Sequence, residues 1–162
     1  MDTIAIRLLQ SGDNKAMAAI IRSALAEFGA NKPGTVYYDE TTDHLSGLFA
    51  GVPKSIYYVA LVNEQLAGGG GIYPSDGLPE DTCELVKMYL APAARGLGLG
   101  RALIEKCLQT AKDTGFRRVY LETMPELKKA VSVYEKFGFR FLDGPLGNTG
   151  HFGCGIWMLK DL

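Results

Sequence analysis

Apolar positions recur along the chain with two different periods, and the switches between them mark alternating strands and helices. Residues 3–9 alternate loosely and predict a first strand, after which Ser11, Gly12 and Asp13 offer helix-capping groups. Met17, Ile20, Ile21, Ala24, Leu25 and Phe28 then share one helical face, and Gly29 ends that helix. Residues 30–54 are mixed; a short helix is expected near 42–50, with Leu45, Leu48 and Phe49 on one side. Residues 56–62 and 66–73 form a predicted hairpin around a turn at Asn63, Glu64 and Gln65. A loop at 74–81 leads to a strand over 82–90, which Pro92 closes.

In the second half, Leu99, Leu103, Ile104, Cys107, Leu108 and Ala111 mark a long helix ending near Gly115, and 119–121 reads as a short strand. Thr123 and Glu126 have capping-box spacing, and Pro125 suits a first helical turn. Leu127, Ala130, Val131 and Tyr134 share the face of that last helix, which Gly138 ends. Residues 139–142 and 152–159 read as two final strands joined by a glycine-rich loop. The pattern predicts a mixed α/β (α+β) fold, a single domain over 1–162 built around one sheet.

Composition narrows the partners. A length of 162 residues suits one domain, and 47% hydrophobic residues can fill its core. The net charge of −1 gives no basic surplus to attract nucleic acid or an anionic membrane, so neither is expected and a small molecule is favoured. No run approaches the ~20 apolar residues of a membrane span, and the N-terminal residues lack the apolar stretch of a signal peptide. Cys83, Cys107 and Cys154 are odd in number and form no CxxC pair, which argues against disulfides and zinc. Reduced thiols and a cytoplasmic location are the expectation.

The sharpest local feature is Arg95-Gly96-Leu97-Gly98-Leu99-Gly100-Arg101, placed between a strand and a helix. Glycines at alternate positions let backbone approach a ligand, the first N–H groups of the helix are free, and arginine adds a donor fork suited to phosphate. The physical reading is an anion cradle. A P-loop fails because Gly100 is followed by Arg101 and Ala102 rather than Lys and Ser or Thr. A dinucleotide site needs GxGxxG; the spacing here is GxGxG, although Glu122 lies where a ribose-binding acid would. A nucleotide-dependent oxidoreductase thus stays open as a rival on this feature alone.

Two further stretches carry a resemblance. Arg95-Gly96-x-Gly98-x-Gly100 resembles the R/Q-x-x-G-x-G/A signature of the GNAT acetyltransferase superfamily, and residues 84–92 resemble the strand before it. Ala130-Val131-x-Val133-Tyr134 through Gly138-Phe139 is similar to that family's later A-I-x-L-Y-x-x-x-G-F element. The resemblance implies a largely antiparallel sheet of about seven strands flanked by helices, with a central strand pair that splays apart. It implies acetyl-CoA as cosubstrate, direct attack by a primary amine in a ternary complex, and no metal. Met88, Tyr89 and Leu90 would line the pantetheine arm, with an N–H at Tyr89 or Leu90 facing the thioester oxygen. Arg95, Gly96, Leu97, Gly98, Leu99, Gly100 and Arg101 would hold the pyrophosphate. Tyr134 would protonate the leaving thiolate, and Glu84 matches the general base of some members. The family often has asparagine where this chain has Leu127; Thr123 or Glu126 stands near enough to replace that contact.

Each assignment has a plainer rival. Tyr134 shares its face with core residues, Glu84 could pair with Lys87 or face solvent, and Arg101 could be merely solvated. His151 and Cys154 make a weak HxxC metal signal; His151 is an acceptor-site candidate or part of a turn-rich loop. Gly68–Gly71 marks a bulge, a substrate approach or tight packing. Asp39, Glu40, Asp43, Asp76, Glu80 and Asp81 could attract a cationic amine. A small-molecule amine is the expected acceptor. A peptide or protein amine and a non-catalytic acyl-CoA sensor are the alternatives, and a homodimer is compatible with the family.

Overall fold

The computed structural model describes residues 2–162. Its strands are β1 (Ile4–Leu8), β2 (Ile56–Val62), β3 (Gln65–Tyr73), β4 (Thr82–Leu90), β5 (Arg118–Thr123), β6 (Arg140–Leu142) and β7 (Ile156–Asp161). Its helices are α1 (Asn14–Glu27), α2 (Leu45–Ala50), α3 (Leu99–Thr114) and α4 (Lys128–Lys136), with short 3-10 turns between some elements. The strands form one seven-stranded sheet in the order β1-β2-β3-β4-β5-β7-β6. Every neighbouring pair is antiparallel except β4 and β5. Among the described residues no helix is long and apolar enough to cross a membrane.

Helices cover both faces of the sheet. Met17, Ile21 and Leu25 of α1 join Leu45 and Phe49 of α2 against Tyr57 and Val59 of β2. On the other face Leu99, Leu103, Ile104, Cys107 and Ala111 of α3 pack with Tyr134 of α4 against Ala60, Leu85, Val119 and Leu121. The helical periodicities of the sequence are therefore core-facing stripes, except at Phe28, which caps α1 and is exposed. Gly115 ends α3 in the left-handed conformation, with φ of 102°, where a Cβ would be strained.

Two starts differ from the sequence reading. Thr123 and Glu126 form no capping box: Thr123 is still in β5, opposite Ile156, and the Glu126 carboxylate pairs with Lys32. Helix α4 begins only at Lys128, after Leu127, because the sheet claims Thr123 first. Similarly, β7 begins only at Ile156: Phe152 and Gly153 form a turn, Cys154 and Gly155 are irregular, and Gly153 N donates to Gly34 O at 2.8 Å. Asp13 also does not cap α1 with its side chain; it accepts from Arg7 and from the Gln10 backbone N–H instead.

The glycine run of β3 is explained by its neighbours. A Cβ on Gly71 would lie 2.3 Å from Ile56 O and 2.8 Å from the Tyr57 ring. The β3–β4 register slips between Gly69 and Gly71, so Lys87 and Met88 stand opposite Gly70 alone, and Lys87 takes φ of 50°. The Tyr57 hydroxyl donates to Lys87 O at 2.6 Å and pins this bulge from β2, reaching across β3.

Candidate active site

The parallel contact between β4 and β5 spans only Thr82, Cys83 and Glu84, opposite Arg118, Val119 and Tyr120. Beyond Glu84 the two strands part. Strand β5 continues pairing with β7 as far as Thr123, while the β5-facing edge of β4 has no partner strand. The gap is a cavity of about 450 Å³, within the usual range for a small-molecule or cofactor site. From Glu84 to Leu90 it follows β4 for roughly 20 Å at the usual rise per strand residue.

At one part of the cavity lies the turn from Arg95 into α3. Gly96 and Gly98 take φ of 78° and 77° and have no heavy atom within 4 Å of a built Cβ. Their requirement is thus conformational: the two left-handed residues swing the chain into α3. No side chain caps the helix, and its first intrahelical bond runs from Ala102 N to Gly98 O at 3.1 Å. The N–H groups of Leu99, Gly100 and Arg101 precede that bond, so a helix start with free donors faces the cavity. Arg95 lines it too, but its guanidinium is held by Glu27 at 2.6 Å and by Leu90 O at 3.1 Å. Arg101 is exposed, with its guanidinium 5.8 Å from the Phe137 ring centroid.

Met88, Tyr89, Leu90, Thr123 and Tyr134 also line the cavity. Tyr134 is 8% exposed and meets Phe139 edge-on, so it is both a core residue and a cavity residue. Burial, reinforced by Cys107, lifts its hydroxyl above the ordinary tyrosine value, which keeps the proton on it.

Glu84, Glu122 and His151 meet at the other part, each offering an atom within 4.8 Å of the others. Glu84 is 5% exposed and accepts from the Ser75 hydroxyl at 2.5 Å. Burial, the largest influence, pushes its carboxyl up to about 7; the Ser75 hydrogen bond, His151 and Lys87 oppose this, and the Glu122 charge adds to it. Glu122 accepts from Tyr120 at 2.8 Å and from Thr149 at 2.5 Å. Both carboxylates accept from hydroxyl donors, which makes the trio part of a hydrogen-bonded network. His151 Nε2 lies 2.8 Å from Asp39 Oδ2, and the Lys87 ammonium, buried beside Thr42 at 3.1 Å, stands 3.5 Å from the same oxygen. Burial works against the Asp39 charge, but His151, Lys87 and Thr41 together hold its carboxyl well below the usual range.

The candidate catalytic and cofactor-binding residues therefore line one cavity, except Leu97, while the candidate acids Asp39, Glu40, Asp43, Asp76, Glu80 and Asp81 lie outside its lining. Of the candidate acids, Asp39 reaches the site through His151. From sequence, Ser75 has no role, Glu122 stands only where a ribose-binding acid would, and Lys87 is only a partner for Glu84, whereas the structure sets it beside Asp39. Glu122 carried a readable signal, since alternation along β5 puts Tyr120 and Glu122 on one face; Ser75 and Lys87 depend on a loop and a bulge that spacing does not reveal. Cys154 lines the cavity, but burial first, then Glu122 and Glu84, raises its thiol to about 12, which disfavours a nucleophilic thiolate.

Comparison with known proteins agrees with this geometry. The model of the acetyltransferase (GNAT) family matches residues 17–139. The Escherichia coli protein called uncharacterized N-acetyltransferase YjgM is 42% identical over 159 residues, covering 97% of this chain and 94% of its own. A Schizosaccharomyces pombe N-acetyltransferase is 30% identical over 137 residues, covering 84% and 80% of the two chains. A GNAT acetyltransferase structure from Staphylococcus aureus superposes with a TM-score of 0.84 at 19% identity, covering 98% of this chain and 99% of that one. The Salmonella typhimurium YncA structure, solved with acetyl-CoA, superposes with a TM-score of 0.75 at 17% identity over 98% of this chain and 94% of its own. The split strands, the uncapped helix start after a glycine turn and these relatives together establish that the chain belongs to the GNAT family of N-acetyltransferases.

Proposed function

We propose that this enzyme transfers acetyl from acetyl-CoA to a primary amine of a small molecule, by direct attack with both substrates bound. The observation that carries the reading is a single cavity along the unpaired edge of β4, with an anion-binding helix start at one part and a carboxyl raised to about 7 at another. The N–H groups of Leu99, Gly100 and Arg101 hold the pyrophosphate, with Arg95 flanking them. The open backbone near Met88, Tyr89 and Leu90 receives the pantetheine arm, as a further strand would pair there. Acetyl-CoA supplies an activated acyl group on a good leaving sulfur.

Glu84 takes the proton that the attacking amine must lose; a base titrating near 7 is half ready at neutral pH. Tyr134, kept protonated by burial, gives a proton to the departing sulfur. A backbone N–H on the open edge, at Tyr89 or Leu90, faces the thioester oxygen and stabilises its developing charge. A small acceptor is favoured because the segments beside Glu84 are tied together, through Asp39 to His151 and Gly153 to Gly34. Thiol release from acetyl-CoA across a panel of small primary amines and lysine peptides tests the proposal. Turnover on small amines is expected; turnover confined to peptides would overturn the acceptor class, and binding without turnover on any amine would leave a sensor.

A further inference from the structure

Glu84 is surrounded by ionisable groups of opposing sign. Its own strand supplies Lys87; β3 supplies Tyr73, its register partner; β5 supplies Tyr120 and Glu122; the loop before β7 supplies His151 and Cys154. Asp39 bears on the group through His151 and Lys87. Among these, Glu122 is the one carboxylate placed directly beside Glu84, with atoms of the two and of His151 all within 4.8 Å.

The two carboxyls are treated unequally. Glu122 receives two hydroxyl hydrogen bonds, one on each oxygen: Tyr120 on Oε2 and Thr149 on Oε1, with His151 Nδ1 3.8 Å from Oε1. Glu84 receives one, from Ser75 on Oε1. Hydrogen bonds donated to a carboxylate stabilise its charged form, and like charges at this separation resist joint ionisation. The Glu122 carboxylate therefore favours a proton on Glu84. The donors to Glu122 come from β5 itself and from the loop before β7, which also bonds Leu146 N to the Tyr120 hydroxyl at 3.3 Å. The arrangement fixes the position of that carboxylate.

We propose that Glu122 is a positioning residue, whose carboxylate beside Glu84 sets the proton affinity of the base while Tyr120 and Thr149 hold it in place. This rests on the reading of Glu84 as the base. The raised value of about 7 at Glu84, to which Glu122 contributes, agrees with it. His151 opposes Glu122 when its ring carries a proton, so the two neighbours act on Glu84 with opposite signs. Asp39 holds the far nitrogen of that ring and so keeps it aimed at the pair.

The test is the acidic limb of kcat/KM against pH in wild type, Glu122→Gln, Glu122→Asp and Glu84→Gln, together with carboxyl titration by NMR on 13C-glutamate-labelled protein. The Glu84 signal is identified by its loss in Glu84→Gln. Glu122→Gln is expected to move both the limb and the Glu84 titration down by roughly one pH unit, with a smaller move in Glu122→Asp. A merely structural residue would lower kcat/KM evenly and leave both midpoints in place, and that result would overturn the proposal. A limb that survives in Glu84→Gln would instead refute the base reading, while the NMR titration would still judge the pairing of Glu84 with Glu122. If Glu122→Gln fails to fold, Glu122→Asp decides in the same direction.

Discussion

Replacing Tyr57 by Phe removes one oxygen from the centre of the molecule and leaves the ring in place. That oxygen donates to Lys87 O at 2.6 Å, inside β4 where the strand bulges and Lys87 takes φ of 50°. Tyr57 is 2% exposed, so water does not readily replace the hydroxyl. The loss of the hydrogen bond costs about 1 kcal/mol, and an orphaned buried carbonyl raises the total to about 2 kcal/mol. For a domain of this size, that corresponds to a fall in Tm of roughly 4–8 °C. The neighbouring Tyr58→Phe is the matched control. Its hydroxyl meets Thr110 Oγ1 at 2.7 Å at a partly exposed position, and the threonine can turn back to its own helix, so the loss should stay below about 1 kcal/mol. Differential scanning calorimetry of both variants gives the comparison, and calorimetric titration with acetyl-CoA should show weaker binding only for Tyr57→Phe. If Tyr57→Phe loses no more stability than Tyr58→Phe, the bulge is not held by this hydroxyl and the reasoning fails.

Other outcomes follow from the same geometry. Tyr134→Phe should lower turnover by roughly 10²-fold with little change in acetyl-CoA affinity, measured by steady-state kinetics and titration calorimetry; unchanged turnover would remove the hydroxyl from proton transfer. Gly71→Ala should destabilise more than a surface glycine change, since its Cβ would sit 2.3 Å from the Ile56 carbonyl, and urea unfolding measures this. Asp39→Asn should be less stable than wild type at neutral pH. Because the folded Asp39 carboxyl is held below its ordinary value, that difference should shrink as pH falls below about 4, which melts across pH would show.

Much of this was legible in the residues. The stripes at Met17 to Phe28 and Leu99 to Ala111 announce amphipathic helices because each needs only local spacing. The Arg95 to Gly100 turn announces an anion site because its glycines and the helix after it are contiguous. The splay of β4 from β5 had no signal of its own in spacing; it was expected only from resemblance to a family. What could not be read depends on residues far apart in sequence. Thr123 looked like a cap because its β-partner Ile156 lies 33 positions away, and pairing with that partner prevails. The polar network around Glu84 joins Asp39, Ser75, Glu84, Glu122 and His151 from five separate segments, so only the folded chain brings them together. The Gly68–Gly71 run signalled a special place without saying which; the rings and carbonyls of β2 and the Lys87 bulge supply the reason.

Direct acetyl transfer requires acetyl-CoA and the amine to be held together in the β4–β5 cavity. Initial velocities measured over a grid of acetyl-CoA and the best amine concentrations test it most directly. Intersecting double-reciprocal lines, with intact protein mass unchanged after incubation with acetyl-CoA alone, are the predicted result. Parallel lines accompanied by an acetyl adduct on Cys154, the thiol lining the cavity, would contradict it.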